Sequence, residues 1–210
     1  MIEIHPKEIK GFWDQGYVLD LHTISSTMIG YNEFGHPEFD TVRSDLGELV
    51  YRLKYKADKS VIPSIVEVTV GFVNDWKIHP DAVVPVPPSN VQRAFQPVVE
   101  IASELAKALG IALDTTSLKK AKTTPQMKDI GDFAARTAAL EGVFTSDKGF
   151  AGRQVLLIDD LFQSGATMNV AARTLKRRGW RTEFTRLYSR VRGTRTCILC
   201  LWPAPAHCRG

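Results

Sequence analysis

Val155-Leu-Leu-Ile-Asp-Asp-Leu-Phe-Gln-Ser-Gly-Ala-Thr167 decides how the rest of this 210-residue chain reads. Val155, Leu156, Leu157 and Ile158 make a short unbroken apolar run, the pattern of a parallel strand covered on both faces. The run ends on two adjacent carboxylates, Asp159 and Asp160. Beyond Gly165 the apolar residues Met168, Ala171, Ala172 and Leu175 recur at helical spacing, so a helix is expected from near Ala166 to just before Gly179. The loop between them therefore ends at a helix N-terminus, where backbone N–H groups lack intrahelical partners and the macrodipole is positive. That combination suits a phosphate dianion. Gly165 lets the backbone turn and approach an anion closely, and Ser164 and Thr167 add hydroxyl donors.

A phosphate would repel Asp159 and Asp160, so their chemistry points one sugar ring away. Ionised carboxylates only accept hydrogen bonds, and the 2′,3′-diol of a ribose 5′-phosphate offers two donors. Carboxylates beneath the ring also favour positive charge developing at C1. The plain alternative, a polar turn in which Asp159 or Ser164 merely caps backbone, explains any one of these residues. It does not explain two acids, a glycine and two hydroxyls gathered at one strand end.

This stretch resembles the signature of type I phosphoribosyltransferases. The resemblance implies an α/β fold with a central, mainly parallel sheet flanked by helices and a small N-terminal hood. It implies that Asp159 and Asp160 hold the ribose hydroxyls of phosphoribosyl pyrophosphate, and that Gln163, Ser164, Gly165, Ala166 and Thr167 cradle its 5′-phosphate. Mg²⁺ accompanies the diphosphate, so the two acids touch the metal indirectly, through the ligand. Upstream the likeness narrows to the ComF-type competence branch, through Val84-Pro85-Val86-Pro87, Arg93-Ala94-Phe95-Gln96, Thr124-Pro125-Gln126, Arg136 and a Leu53-Lys54-Tyr55 segment. It covers about residues 46–190. The branch's Arg-Gly-Phe-Asn is Arg-Ala-Phe-Gln here, and the paired-cysteine ribbon found at the N-terminus of many relatives is missing, which leaves any zinc or partner function of that ribbon without support.

Composition agrees with a compact enzyme. With 44% hydrophobic residues the chain can bury one substantial core without disulfides. A formal charge of +4 suits anionic substrates without voting for nucleic acid. No apolar run approaches the ~20 residues of a membrane span, and the first residues lack a signal-peptide core, so a cytoplasmic location is expected. Cys197, Cys200 and Cys208 all fall in the last stretch of chain; with His207 they number four zinc ligands, but adjacent His207 and Cys208 make awkward partners. A loose tail, one docked through Leu199, Leu201 and Trp202, or vector-derived sequence are the alternatives.

Three segments are expected: a hood and entry helix over 1–55, a core over 56–192 and a tail over 193–210. Residues 17–24 alternate as a strand, 30–40 read as a turn-rich connection, and Val42, Leu46, Leu49, Val50 and Leu53 keep helical spacing. Residues 62–72 suit a helix entered through Pro63. Residues 82–86 suit a core strand whose Pro87-Pro88 must end ladder pairing and stiffen its tip. In related enzymes that tip faces the diphosphate, so Pro87, Pro88, Ser89 and Asn90 would line it with Arg93 as the nearest cation. A helix runs from Pro97 to Gly110. Residues 119–139, rich in Lys and Thr, read as a basic loop of the kind these enzymes close over the reaction centre to exclude water. Lys120, Gln126 and Arg136 are the candidates to meet the leaving diphosphate.

The reading that follows is transfer of a phosphoribosyl group to a nitrogenous acceptor, a small-molecule base or nucleotide. The alternative is a protein that keeps the pocket without turnover and serves ligand sensing or DNA uptake in competence, since a binding motif does not certify catalysis. A homodimer stays open. Nucleic-acid binding through Lys176, Arg177, Arg178, Arg181 and the arginines beyond stays open but is not favoured, because no aromatic residues interleave with them; cations at a helix C-terminus are explained by its dipole.

Overall fold

The structure, a computed structural model, describes residues 2–88, 95–122, 137–147, 152–162 and 165–189. Its centre is a six-stranded sheet in the order β1-β2-β10-β9-β5-β6. These strands are β1 (Lys7–Glu8), β2 (Gln15–Leu21), β5 (Ala82–Pro85), β6 (Ala112–Leu113), β9 (Gln154–Phe162) and β10 (Arg181–Ser189). Every pairing in it is parallel except that of β1 with β2. The helices are α1 (Asp45–Lys56), α2 (Ile62–Trp76), α3 (Pro97–Leu109) and α4 (Ala166–Lys176). Two ribbons stand outside the sheet: β3 (Ser25–Tyr31) with β4 (Pro37–Val42), and β7 (Lys119–Lys120) with β8 (Phe144–Thr145). This is the expected α/β arrangement of mainly parallel strands between helices.

Each face of β9 packs into its own core, because successive side chains on a strand point to opposite sides. Val155 and Leu157 join Val84, Val86, Met168, Ala171 and Leu175 on the α4 side. Leu156 and Ile158 join Leu19, Leu46, Val50, Leu53, Ile65 and Ile101 on the side of α1, α2 and α3. The winding reverses beside β9. β5 leads through α3 to β6 on one side, whereas β9 leads through α4 to β10 on the other. Such a reversal opens a crevice at the carboxyl ends of the two diverging strands.

The helices expected at 62–72 and 97–110 and the strand at 82–86 are present within a few residues. Two connections differ from expectation. Residues 30–40 contribute to a β-hairpin, closed where Asn32 Oδ1 accepts from the backbone N–H of Phe34 and His36, with a register shift between Met28 and Gly30. Gly30, Gly35 and Pro37 suggested a connection throughout, but the β-forming Thr27, Met28, Ile29, Phe39 and Thr41 around them carry the pairing. Likewise residues 119–120, expected as the start of a loop, pair as β7 with β8. The hairpin β3–β4 buries none of its residues.

α1 is fastened to the sheet at its first turn. Ser44 Oγ donates to Leu21 O and accepts from Gly47 N, joining the helix start to the end of β2. Gly47 is buried there, and a Cβ at that position would lie 2.5 Å from the carbonyl oxygen of His22. Glycine in a helix normally gives way to alanine with a gain of about 0.5–1 kcal/mol. At Gly71, in the exposed middle of α2 where nothing lies within 4 Å of an added Cβ, Gly71→Ala should raise stability by about that amount. Gly47→Ala should reverse the sign and cost about 1–3 kcal/mol through overpacking against backbone. Urea denaturation of the two variants beside the parent protein checks the contrast.

Candidate functional site at the carboxyl ends of the central strands

β5 ends early and β9 does not. Val86 N donates to Ile158 O at 2.9 Å, the last bond between them. Pro87 and Pro88 follow with no N–H to continue the ladder. β9 runs on to Phe162, paired only with β10, where Asp159 lies opposite Arg186. Asp159 and Asp160, both half-buried, thus sit where the sheet has opened beside the proline tip.

Strand alternation separates the two acids. Asp159 continues the row of Val155 and Leu157, toward α4, and Asp160 continues that of Leu156 and Ile158, toward α1. On that second side Lys54, in the last turn of α1, meets Asp160 with Nζ 2.7 Å from Oδ2, at side-chain exposures of 21% and 13%. Burial pushes the Lys54 ammonium toward a lower pKa. The charge and hydrogen bond of Asp160, with smaller help from Tyr55 and Asp159, more than offset this and leave it above the ordinary lysine value. Asp159 Oδ1 accepts from Asp160 N at 2.9 Å, fixing the rotamer of the first acid at the strand end.

α4 begins on the other face of the same rim. Gly165 is its N-cap with φ 77° and ψ −3°, a left-handed conformation that glycine adopts at little cost. Asn169, 5% exposed, fixes this start: its backbone N–H and side-chain Nδ2 both donate to Gly165 O, at 2.8 and 3.0 Å, and its Oδ1 accepts from Phe12 N. Ala166 is buried and Thr167 half-buried in the first turn, the end of a helix at which N–H groups face outward and the dipole favours anions.

Of the expected site residues, the structure gathers Asp159, Asp160, Gly165, Ala166, Thr167, Pro87 and Pro88 at one end of the sheet. Lys120 stands on the separate β7–β8 ribbon, where burial lowers its pKa from the ordinary lysine value. Gln163, Ser164, Ser89, Asn90, Arg93, Gln126 and Arg136, and the tail with Cys197, Cys200, His207 and Cys208, lie outside the described residues. Lys54 and Asn169 were not among the expected site residues. Lys54 had a signal, since Leu53-Lys54-Tyr55 matches the ComF-type pattern, but a lysine in the last turn of a helix is equally what the dipole favours. Asn169 had none, being a polar residue within a buried helix stripe.

An α/β protein whose winding reverses between β5 and β9 has the doubly wound architecture, in which small ligands are generally taken at strand ends. Within that architecture the chain belongs to the phosphoribosyl transferase domain family, whose model matches residues 64–189, and it is a phosphoribosyltransferase. No curated protein matches the sequence significantly. Among solved structures, adenine phosphoribosyltransferase from Saccharomyces cerevisiae is 12% identical, with 79% of this chain and 84% of that one covered at a TM-score of 0.47. Orotate phosphoribosyltransferase from Aeropyrum pernix is 13% identical, with 80% and 76% covered at 0.44. A purine phosphoribosyltransferase from Pyrococcus horikoshii is 16% identical, with 61% and 82% covered at 0.40.

Lys54 has a raised pKa, so its contribution to stability is complete below the unfolded value and is lost as pH rises through the folded one. Lys54→Met should lower stability at neutral pH by about 1–3 kcal/mol, because it leaves a largely buried carboxylate without its cation. The deficit should shrink as pH climbs beyond 10.5, the ordinary lysine value, where the parent protein loses its ammonium as well. Denaturation curves at pH 7 and across the alkaline range measure both.

Proposed function

We propose that the crevice binds phosphoribosyl pyrophosphate with Mg²⁺, and that the chain transfers the phosphoribosyl group to a nitrogenous acceptor as a ComF-type member of its family. The observation that carries this reading is the rim itself: two carboxylates straddling the end of β9, with the glycine-opened start of α4 on one side and Lys54 on the other. Asp159 and Asp160 accept from the ribose hydroxyls, and the turn from Gln163 to Thr167 takes the 5′-phosphate. Pro87, Pro88 and Ser89 line the diphosphate side with Arg93. Lys120, Gln126 and Arg136 approach when the basic segment closes.

The donor set fits the metal. Mg²⁺ prefers hard oxygens, substrate phosphates and water among them; Asp159 and Asp160 would reach it indirectly, through the ligand whose ribose they hold. Bound there, Mg²⁺ would offset the charge of the departing diphosphate. The protein's own part is to orient the ribose, fix the phosphate and keep water from C1.

The hairpin β3–β4, inside the 1–55 segment assigned to the hood, leaves the sheet at the end of β2, the same edge at which β9 carries its acids. We assign it the acceptor-facing wall. Phe34 at its tip is 76% exposed and Tyr31 57%, aromatic surface that suits a flat nitrogenous base. Among the described residues no helix is long and apolar enough to cross a membrane.

Diphosphate release from phosphoribosyl pyrophosphate and Mg²⁺, measured across a panel of bases, tests the proposal. At least one base should be turned over, and Asp160→Asn should lower kcat/KM by about 10²-fold or more. Tight saturable ligand binding with no release for any base would instead favour a sensor. Unchanged turnover in the Asp160→Asn protein would remove the ribose role assigned to that residue.

A further inference from the structure

A concavity stands apart from the crevice at β9. It lies along the later turns of α4, a cavity of about 610 Å³ between that helix and the segment 137–147. A helix rises about 1.5 Å per residue, so the cavity's lining on this side, from Val170 to Arg178, begins roughly 6 Å and ends roughly 18 Å along the chain from Ala166 at the rim.

Charge distinguishes it. Arg173, Arg177 and Arg178 line it together with Glu141 and Asp147. Asp147 is already neutralised by Lys119, Nζ to Oδ2 2.9 Å. Among the described residues no salt bridge closes on the three guanidinium groups, although the charge of Arg178 acts on the Asp147 carboxylate; with Lys119 counted beside Asp147, four cations face two acids. Lys122 adds to the same side, its Nζ 3.5 Å from where a Cβ on Gly142 would stand. The α4 C-terminus contributes only about half a negative charge, which this excess outweighs. Arg173 is held in place, its guanidinium stacked 4.0 Å from the centroid of the Phe12 ring. The remaining wall is apolar at Phe144 and Val170 and hydroxylic at Thr145 and Ser146.

We propose that this cavity is a second ligand site, for a small phosphorylated molecule of at least two negative charges, distinct from the crevice at β9. Its volume falls in the range of small-molecule pockets, about 300–1,000 Å³. Arginines match phosphate oxygens with paired N–H donors, and the apolar wall suits the organic part of a phosphate ester. A concave site of this size, whose one lining ring, Phe144, is buried, favours a compact ligand over the extended backbone of a nucleic acid.

Hydrogen exchange read by peptide mass spectrometry, with inorganic pyrophosphate as the probe, tests this independently of what the crevice binds. Pyrophosphate should slow exchange in 139–147 and 173–180. Arg177→Glu/Arg178→Glu should weaken that protection at least tenfold in probe concentration. Ala138→Trp, which fills the cavity from its exposed rim without changing charge, should do the same. The proposal is overturned if pyrophosphate protects only the peptides around 157–168, or if protection of 139–147 survives Ala138→Trp. It is also overturned if the arginine variant loses steeply salt-dependent binding of a single-stranded oligonucleotide while pyrophosphate protection is unchanged, for the face would then serve nucleic acid.

Discussion

A strand buried on both faces and hydrogen-bonded along both edges has no place for a charge until one of those conditions lapses. β9 meets them as far as Ile158. There β5 stops at its prolines, the Val86–Ile158 bond closes the ladder, and the next two residues are Asp159 and Asp160. The acids stand at the first position the sheet leaves open to them. The same truncation creates the crevice, because β5 and β9 carry their chains away through helices on opposite faces. The position of the carboxylates and the opening of the sheet beside them are therefore one consequence of where β5 ends.

Adjacent acids on a strand cannot share a side, and this shapes what surrounds them. Asp160 turns to the face covered by α1, and that helix brings Lys54 against it. α1 is in turn set by the Ser44 contacts and by the absence of a side chain at Gly47. Lys54 precedes residues 64–189, the part of the chain that the family model matches. The rim is thus completed by a segment outside the matched region, and a change as distant as the first turn of α1 reaches the carboxylate through a rigid helix.

Much of this was legible in the sequence because the residues concerned obey local rules. The apolar run of β9, the periodicity of α4, the prolines opening α3 and closing β5, and Gly165 each state a backbone preference that tertiary packing did not override. The hairpin β3–β4 was hidden because its glycines and proline announce turns while its exposed β-formers show no burial pattern to contradict them. Lys54 and Asn169 were hidden for a different reason. Their partners, Asp160 and the backbone of Gly165 and Phe12, are remote in sequence or set by side-chain direction, and a lysine at a helix end or an asparagine in a helix stripe has a sufficient local explanation. The charge excess of the second cavity likewise requires knowing that Asp147 already belongs to Lys119.

The ion pair at the rim also bears on how an acidic site can receive a polyanion. A bare Asp160 would confront phosphoribosyl pyrophosphate with a further negative charge; Lys54 offsets it. At an effective dielectric near 20, removing a unit charge about 6 Å from an incoming anion is worth roughly 3 kcal/mol of repulsion, comparable to what a well-placed hydrogen bond to a charged group returns. Lys54 need not withdraw for the sugar to bind. It contacts Asp160 through Oδ2, and a carboxylate offers about four acceptor positions, so the same acid can keep its lysine and still accept from a hydroxyl. By fixing the rotamer of Asp160, the pair also removes an ordering cost that ligand binding would otherwise bear. For the ligand proposed above, the lysine would reconcile two demands on this end of the sheet, acceptors for a diol and tolerance of a phosphate one sugar ring away.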